Sequence, residues 1–126
     1  MFKNTHAFSG FSVSDLAAAK TFYHDTLGLE VEETPMGLHL KVAGGNPIFV
    51  YAKDEHTPAT YTILNFPVED IDEAVKALKA KDVTLEHYEG MTDKDGIARG
   101  LSAHRGPDIA WFTDPAGNIL SVLQDK

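Results

Sequence analysis

FSVSDLAAA (residues 11–19) and FPVEDIDEA (residues 66–74) are the two stretches that decide the fold. Phe11 matches Phe66, Val13 matches Val68, Asp15 matches Asp70, Leu16 matches Ile71 and Ala19 matches Ala74, all at one offset of 55. A second echo, Gly45-Asn46 against Gly117-Asn118, comes at an offset of 72. Self-similarity of this kind marks a repeated structural unit. The two offsets differ by 17, so the second half must carry about that many extra residues between the two echoes. The Gly-rich, polar segment 87–107 (HYEGMTDKDGIARGLSAHRGP) supplies them.

Each repeat has the same grammar. Residues 6–13 alternate loosely, with Phe11 and Val13 on one face and Phe8, Gly10 and Ser12 on the other, as a strand does. Ser14 or Asp15 stands where a helix N-cap belongs. LAAAKTFYHDTL follows, with Leu16, Ala19, Phe22, Tyr23 and Leu27 at helical spacing and Gly28 placed to end the helix. Residues 38–42 and 47–52, separated by AGGN, read as a hairpin. In the second repeat TYTILNFPV reads as a strand and EDIDEAVKALKAK as a helix burying Ile71, Ala74, Val75 and Leu78. DIAWFTDPAGNILSVLQ is a hairpin that turns at DPAGN. Short segments at 29–33 and 83–88 complete the strand count. The expected fold class is α+β: two βαβββ modules, at about 5–53 and 60–124, within one domain spanning 1–126.

Composition bounds the function. The 126 residues are 43% hydrophobic and 24% charged, enough for one core without staples. Having no cysteine, the chain has no disulfide, thiolate zinc site, iron–sulfur cluster or cysteine nucleophile. A formal net charge of −8 repels phosphate backbones and anionic lipid, so neither nucleic acid nor membrane is an expected partner. The same charge suits a cationic ligand, or solubility alone. MFKNTHAFSGFSVSD contains no uninterrupted apolar stretch of signal-peptide type, and a cytoplasmic location is expected. Phosphate-loop, dinucleotide, zincin and nucleophile-elbow motifs do not occur.

The V-x-D-L, F-Y and L-G-L elements at 13–16, 22–23 and 27–29, together with DP-x-GN at 114–118, resemble the vicinal oxygen chelate superfamily. That superfamily includes glyoxalase I, bleomycin-resistance proteins, extradiol dioxygenases and fosfomycin-resistance enzymes. The resemblance implies paired modules whose sheets bend around a cavity, usually in a homodimer. It also implies where a metal would sit: on a His seven residues before each V-x-D aspartate, and on a carboxylate four residues after the glycine of DP-x-GN. Here those positions hold Phe8, Ile63 and Ser121, and the first-half counterpart of the last is Phe49, or Tyr51 if the strand slips by one pair. A divalent site needs three or four converging His or carboxylate ligands. No metal and no other cofactor is therefore expected.

The expected function is metal-independent binding of a small organic ligand in an apolar, aromatic pocket. Phe8, Phe49, Tyr51 and Trp111 would form its walls, with Ile63 between them, and Ser12, Asn65 and Ser121 would orient the guest. No catalytic residue is assigned. The competing expectation is a metal-dependent glyoxalase I-like lyase or isomerase, or an extradiol-type dioxygenase. Either would draw ligands from non-standard positions such as His6, His39 or His104 with Glu30 or Glu86. His6 reads as an exposed strand-end residue, while His39 either lines the cavity mouth or faces water. Segment 87–107 is either a lid, with Arg99 or Arg105 meeting an anionic group, or a surface excursion. Of Trp111 and Phe112, one belongs to the core and the other to the pocket or a subunit interface.

Overall fold

Asp15 and Asp70, the repeated acids, turn strand into helix in both halves. Each sits in extended backbone at a helix start. The Asp15 carboxylate accepts the N–H groups of Ala17 and Ala18 at 2.9 and 3.2 Å, and that of Asp70 accepts the N–H of Glu73 at 3.2 Å. Such a cap contributes about 1 kcal/mol by satisfying donors the helix leaves bare.

The computed structural model describes all 126 residues and divides the chain into two compact units, Met1–Pro58 and Ala59–Lys126. The first runs β1 (Gly10–Val13), α1 (Leu16–Lys20), β2 (Glu30–Thr34), β3 (Gly37–Lys41) and β4 (Ile48–Ala52). Its four strands form a mixed sheet in the order β1-β4-β3-β2, with β1 and β4 parallel and the other neighbours antiparallel. The second runs β5 (Thr62–Pro67), α2 (Ile71–Ala80), β6 (Ile97–Ala98), β7 (Asp108–Thr113) and β8 (Ile119–Gln124). Its sheet has the matching order β5-β8-β7-β6, with β5 and β8 parallel. Each unit is thus a βαβββ module of an α+β fold.

Helix α1 widens into a π-helical segment, Thr21–Thr26. There the Leu27 N–H reaches the Phe22 carbonyl and the Leu29 N–H reaches that of Tyr23. Gly28 ends it at φ +79°, the left-handed conformation a glycine adopts without strain. Tyr23 is 0% exposed and packs on Phe11 and Phe22, so this helical stretch covers the Phe11/Val13 face of the first sheet. Val13, Leu38, Leu40, Ile48 and Val50 are buried on that face. In the second unit Ile71, Val75 and Leu78, one stripe of α2, are buried, as are Ala110, Phe112, Leu120 and Val122 of the sheet. Each such large side chain stabilises the fold by about 1.5–3 kcal/mol.

Three local expectations change. Strand β1 begins at Gly10, so Phe8 precedes it in a stretch that is exposed throughout. Segment 83–88 contributes only the isolated bridge Leu85–Phe112, and β6 takes the edge position instead. Segment 87–107 is not free of regular structure: it contains β6 and a 3₁₀ turn, Leu101–Ala103. The extra residues fall where the offsets require. Gly37 lies 11 positions beyond Thr26, whereas Asp108 lies 28 beyond Ala80. No helix is long and apolar enough to cross a membrane.

Candidate functional site

Strand alternation leaves each sheet with a second face, turned away from its helix. In the first unit one cross-strand row of that face reads Gly10, Phe49, His39, Glu32, and the next pairs Ser12 with Tyr51. Phe49 and Tyr51, two residues apart on β4, therefore share the face, and their rings stack at 5.7 Å. His39 sets its ring edge-on to Phe49 at 5.9 Å and lies 3.8 Å from Glu32. Lys41 lies 3.7 Å from both Glu30 and Glu32. From the segment after β4, His56 brings Nδ1 to 2.7 Å from the Ser12 hydroxyl. His56 gave no sequence signal, because it lies in a polar stretch without periodicity.

In the second unit the equivalent row reads Asn65, Ser121, Trp111. The Ser121 hydroxyl donates to Asn65 Oδ1 at 2.6 Å, and Ser121 is 0% exposed. The Trp111 indole N–H donates to Thr62 Oγ1 at 3.1 Å, and Tyr88 meets the indole edge-on at 5.5 Å. Phe112 is the buried member of the Trp111–Phe112 pair. Ile63 falls in a register shift between Thr62 and Leu64, where it has no cross-strand partner. That bulge breaks strict alternation and sets Thr62 beside Trp111, a partnership parity alone does not reveal. Tyr88 lies in the inserted segment and had no periodic signal either.

The DPAGN turn is a structural device. The buried Asp114 carboxylate accepts the N–H groups of Ala116 and Asn118 at 2.9 Å each and the Asn118 side-chain amide at 3.0 Å. It aims β8, and with it Ser121, back along β7.

The donor set does not fit a divalent cation. Phe8 and Ile63 carry no lone pair, Phe49 and Tyr51 offer at most a phenol, and the Ser121 hydroxyl is engaged by Asn65. No three His, Asp or Glu side chains converge as metal ligands would. His6, His87 and His104 are exposed, and His24 is paired with Asp25 at 2.6 Å.

Within segment 87–107, Arg99 is not available to a ligand. Its guanidinium donates to both oxygens of Asp72 at 2.6 and 3.2 Å and to Asp93 at 3.1 Å, and it stands 3.7 Å from Asp108. The hydrogen bond from Arg99 holds the Asp72 carboxyl below its usual range. Burial pushes the Asp93 carboxyl up, but the Ile97 N–H, Arg99 and the Asp95 N–H outweigh it and hold that group low as well. The same carboxylates raise the pKa of Arg99 further.

A sequence model of the Glyoxalase/Bleomycin resistance protein/Dioxygenase superfamily matches residues 6–122. Among solved structures, a glyoxalase family protein from Bacillus anthracis is similar at a TM-score of 0.70 and 20% identity, with 100% of both chains covered. An antibiotic binding protein from a Streptomyces species is similar at 0.67 and 20% identity, with 98% of each chain covered. A genomically encoded fosfomycin resistance protein from Listeria monocytogenes is similar at 0.68 and 17% identity, covering 95% of this chain and 92% of that one. No curated protein matches the chain in sequence.

Proposed function

Because the chain belongs to the glyoxalase/bleomycin resistance protein/dioxygenase superfamily, we propose that it binds a small organic ligand on the aromatic faces of its sheets without help from a metal ion. One observation carries the reading: the four positions where the superfamily resemblance implies metal ligands hold Phe8, Phe49 or Tyr51, Ile63 and Ser121. Apolar and aromatic area with a few placed hydrogen-bonding groups is how small-molecule sites are commonly built. The stacked Phe49–Tyr51 pair and the Tyr88–Trp111 pair supply the area. Ser12 with His56, and Asn65 with Ser121, supply the polar groups. The fold is one that an antibiotic binding protein also uses. The reading includes a cytoplasmic homodimer, and the net charge of −8 supports its having neither nucleic-acid nor membrane partners.

Trp111 is the only tryptophan, so its emission reports directly on the second sheet's face. A panel of small aromatic compounds titrated against that emission, with and without a chelator, tests the proposal. Binding of equal affinity in both conditions is the expected result. A ligand response, or turnover of a hemithioacetal or catechol, that requires one divalent ion per chain would overturn it in favour of a metal-dependent enzyme.

A further inference from the structure

The inserted segment of the second unit builds a cavity of about 420 Å³ that no function described above uses. That volume lies in the range of small-molecule sites. Met91, Ala98, Pro107 and Ile109 give it apolar walls, and Arg99 and Arg105 are its charged lining. Ala98 pairs with Ile109, two residues from Trp111 on β7, so the cavity opens on the face that carries Trp111.

The two arginines differ in kind. Arg99 is saturated by Asp72, Asp93 and Asp108 and ties the inserted segment to α2 and β7. Arg105 has no carboxylate within ion-pair distance, although the chain carries 19 acids against 11 basic residues. Its position is built by the backbone. The N–H groups of Ala103 and Arg105 both donate to the Gly100 carbonyl, at 3.1 and 2.9 Å, and the Leu101 N–H donates to Asp108 at 3.0 Å. Any side chain at Gly100 would strike the Pro107 carbonyl at 2.4 Å, so residues 100–107 close tightly on themselves. His104 is held at φ +54° beside Arg105, in the left-handed region that non-glycine residues seldom occupy.

An unpaired guanidinium at the rim of an apolar cavity matches a planar oxyanion on a hydrophobic body, because its fork donates two parallel hydrogen bonds to a carboxylate. We propose that this cavity receives the carboxylate end of an aromatic organic acid, with Arg105 as the residue that selects the charge. The proposal rests on the ligand-binding reading above and adds the ligand's chemical class. It runs against the net charge of the chain, so the preference must come from Arg105 and not from the overall field.

The test uses benzoate, benzamide and benzylammonium as probes of one shape and three charges, read by Trp111 emission. Tyr88 is packed on Trp111, and its carbonyl accepts the Met91 N–H, which couples the cavity wall to the indole. The expected order is benzoate tighter than benzamide, and benzamide tighter than benzylammonium. Arg105→Gln should weaken benzoate about tenfold and leave benzamide unchanged. Arg105→Lys, which keeps the charge without the fork, should fall between. Equal affinities for the three probes, or a benzoate affinity indifferent to Arg105, would overturn this inference and leave the ligand-binding reading standing. Silence toward every aromatic compound, neutral ones included, would remove both.

Discussion

Asp114 shows what one residue can decide. Its buried carboxylate accepts the N–H groups of Ala116 and Asn118 and the Asn118 side-chain amide, all from the turn it initiates. Asp114→Ala would leave those donors without their acceptor inside the hairpin. Hydrogen bonds to a charged group are worth about 1.5–3 kcal/mol each, although the freed donors recover part of that from water. The expected loss is about 2–3 kcal/mol, measured by denaturant titration of the full chain. A loss below about 0.5 kcal/mol, the range of an unremarkable surface change, would mean that the turn holds without its carboxylate. At this scale the sequence was legible where residues obey a period or a motif: Asp15, Asp70, Gly28 and Asp114 perform the local tasks their types suit. It was not legible at His56, Thr62 and Tyr88. Their partners lie 44, 49 and 23 residues away in the chain, and no local pattern encodes such a pairing.

The inserted segment is the element that departs most from a bare reading of its glycines. It is stitched to α2 and β7 through Arg99, whose three carboxylate neighbours come from three separate places in the second unit. Asp72 and Asp93 have pKa values lowered in the folded state. A depressed carboxylate contributes stability that is present above its unfolded value, about 4, and is lost as pH falls through the folded value. Arg99→Gln removes the part of that contribution which comes from the guanidinium. The variant should therefore melt below the wild type at neutral pH, with the difference shrinking as pH drops below about 4. A melting difference that stays constant, or widens, toward acid would show that Arg99 does not stabilise these carboxylates. Because Asp72 is exposed, the neutral-pH difference should also narrow in high salt.

Across the whole molecule, 19 acidic residues against 11 basic ones leave the folded chain repelling itself. Salt screens that repulsion over a distance of about 10 Å at 0.1 M. The melting temperature should rise as salt increases from about 0.01 M to about 0.1 M, because more unpaired acids are relieved than ion pairs are weakened. A fall over that interval would mean that the surface pairs, Lys41 with Glu30 and Glu32 among them, outweigh the excess charge. The repeat itself, two βαβββ modules with sheet orders that match strand for strand, follows from the offset of 55 and holds at every corresponding strand.

The amino-acid order alone determined the duplicated architecture, both helix starts, the two hairpins and the place of the extra residues. Each of these is written in contacts between near neighbours: a cap three residues from its donors, a stripe every third or fourth position, a turn of five residues. Only the folded chain decided that Arg99 is bound and Arg105 is not, that a bulge sets Thr62 beside Trp111, and that His56 returns to Ser12. Those facts depend on where distant segments meet, and an imidazole, hydroxyl or guanidinium has the same chemistry in the sequence whichever partner the fold brings to it.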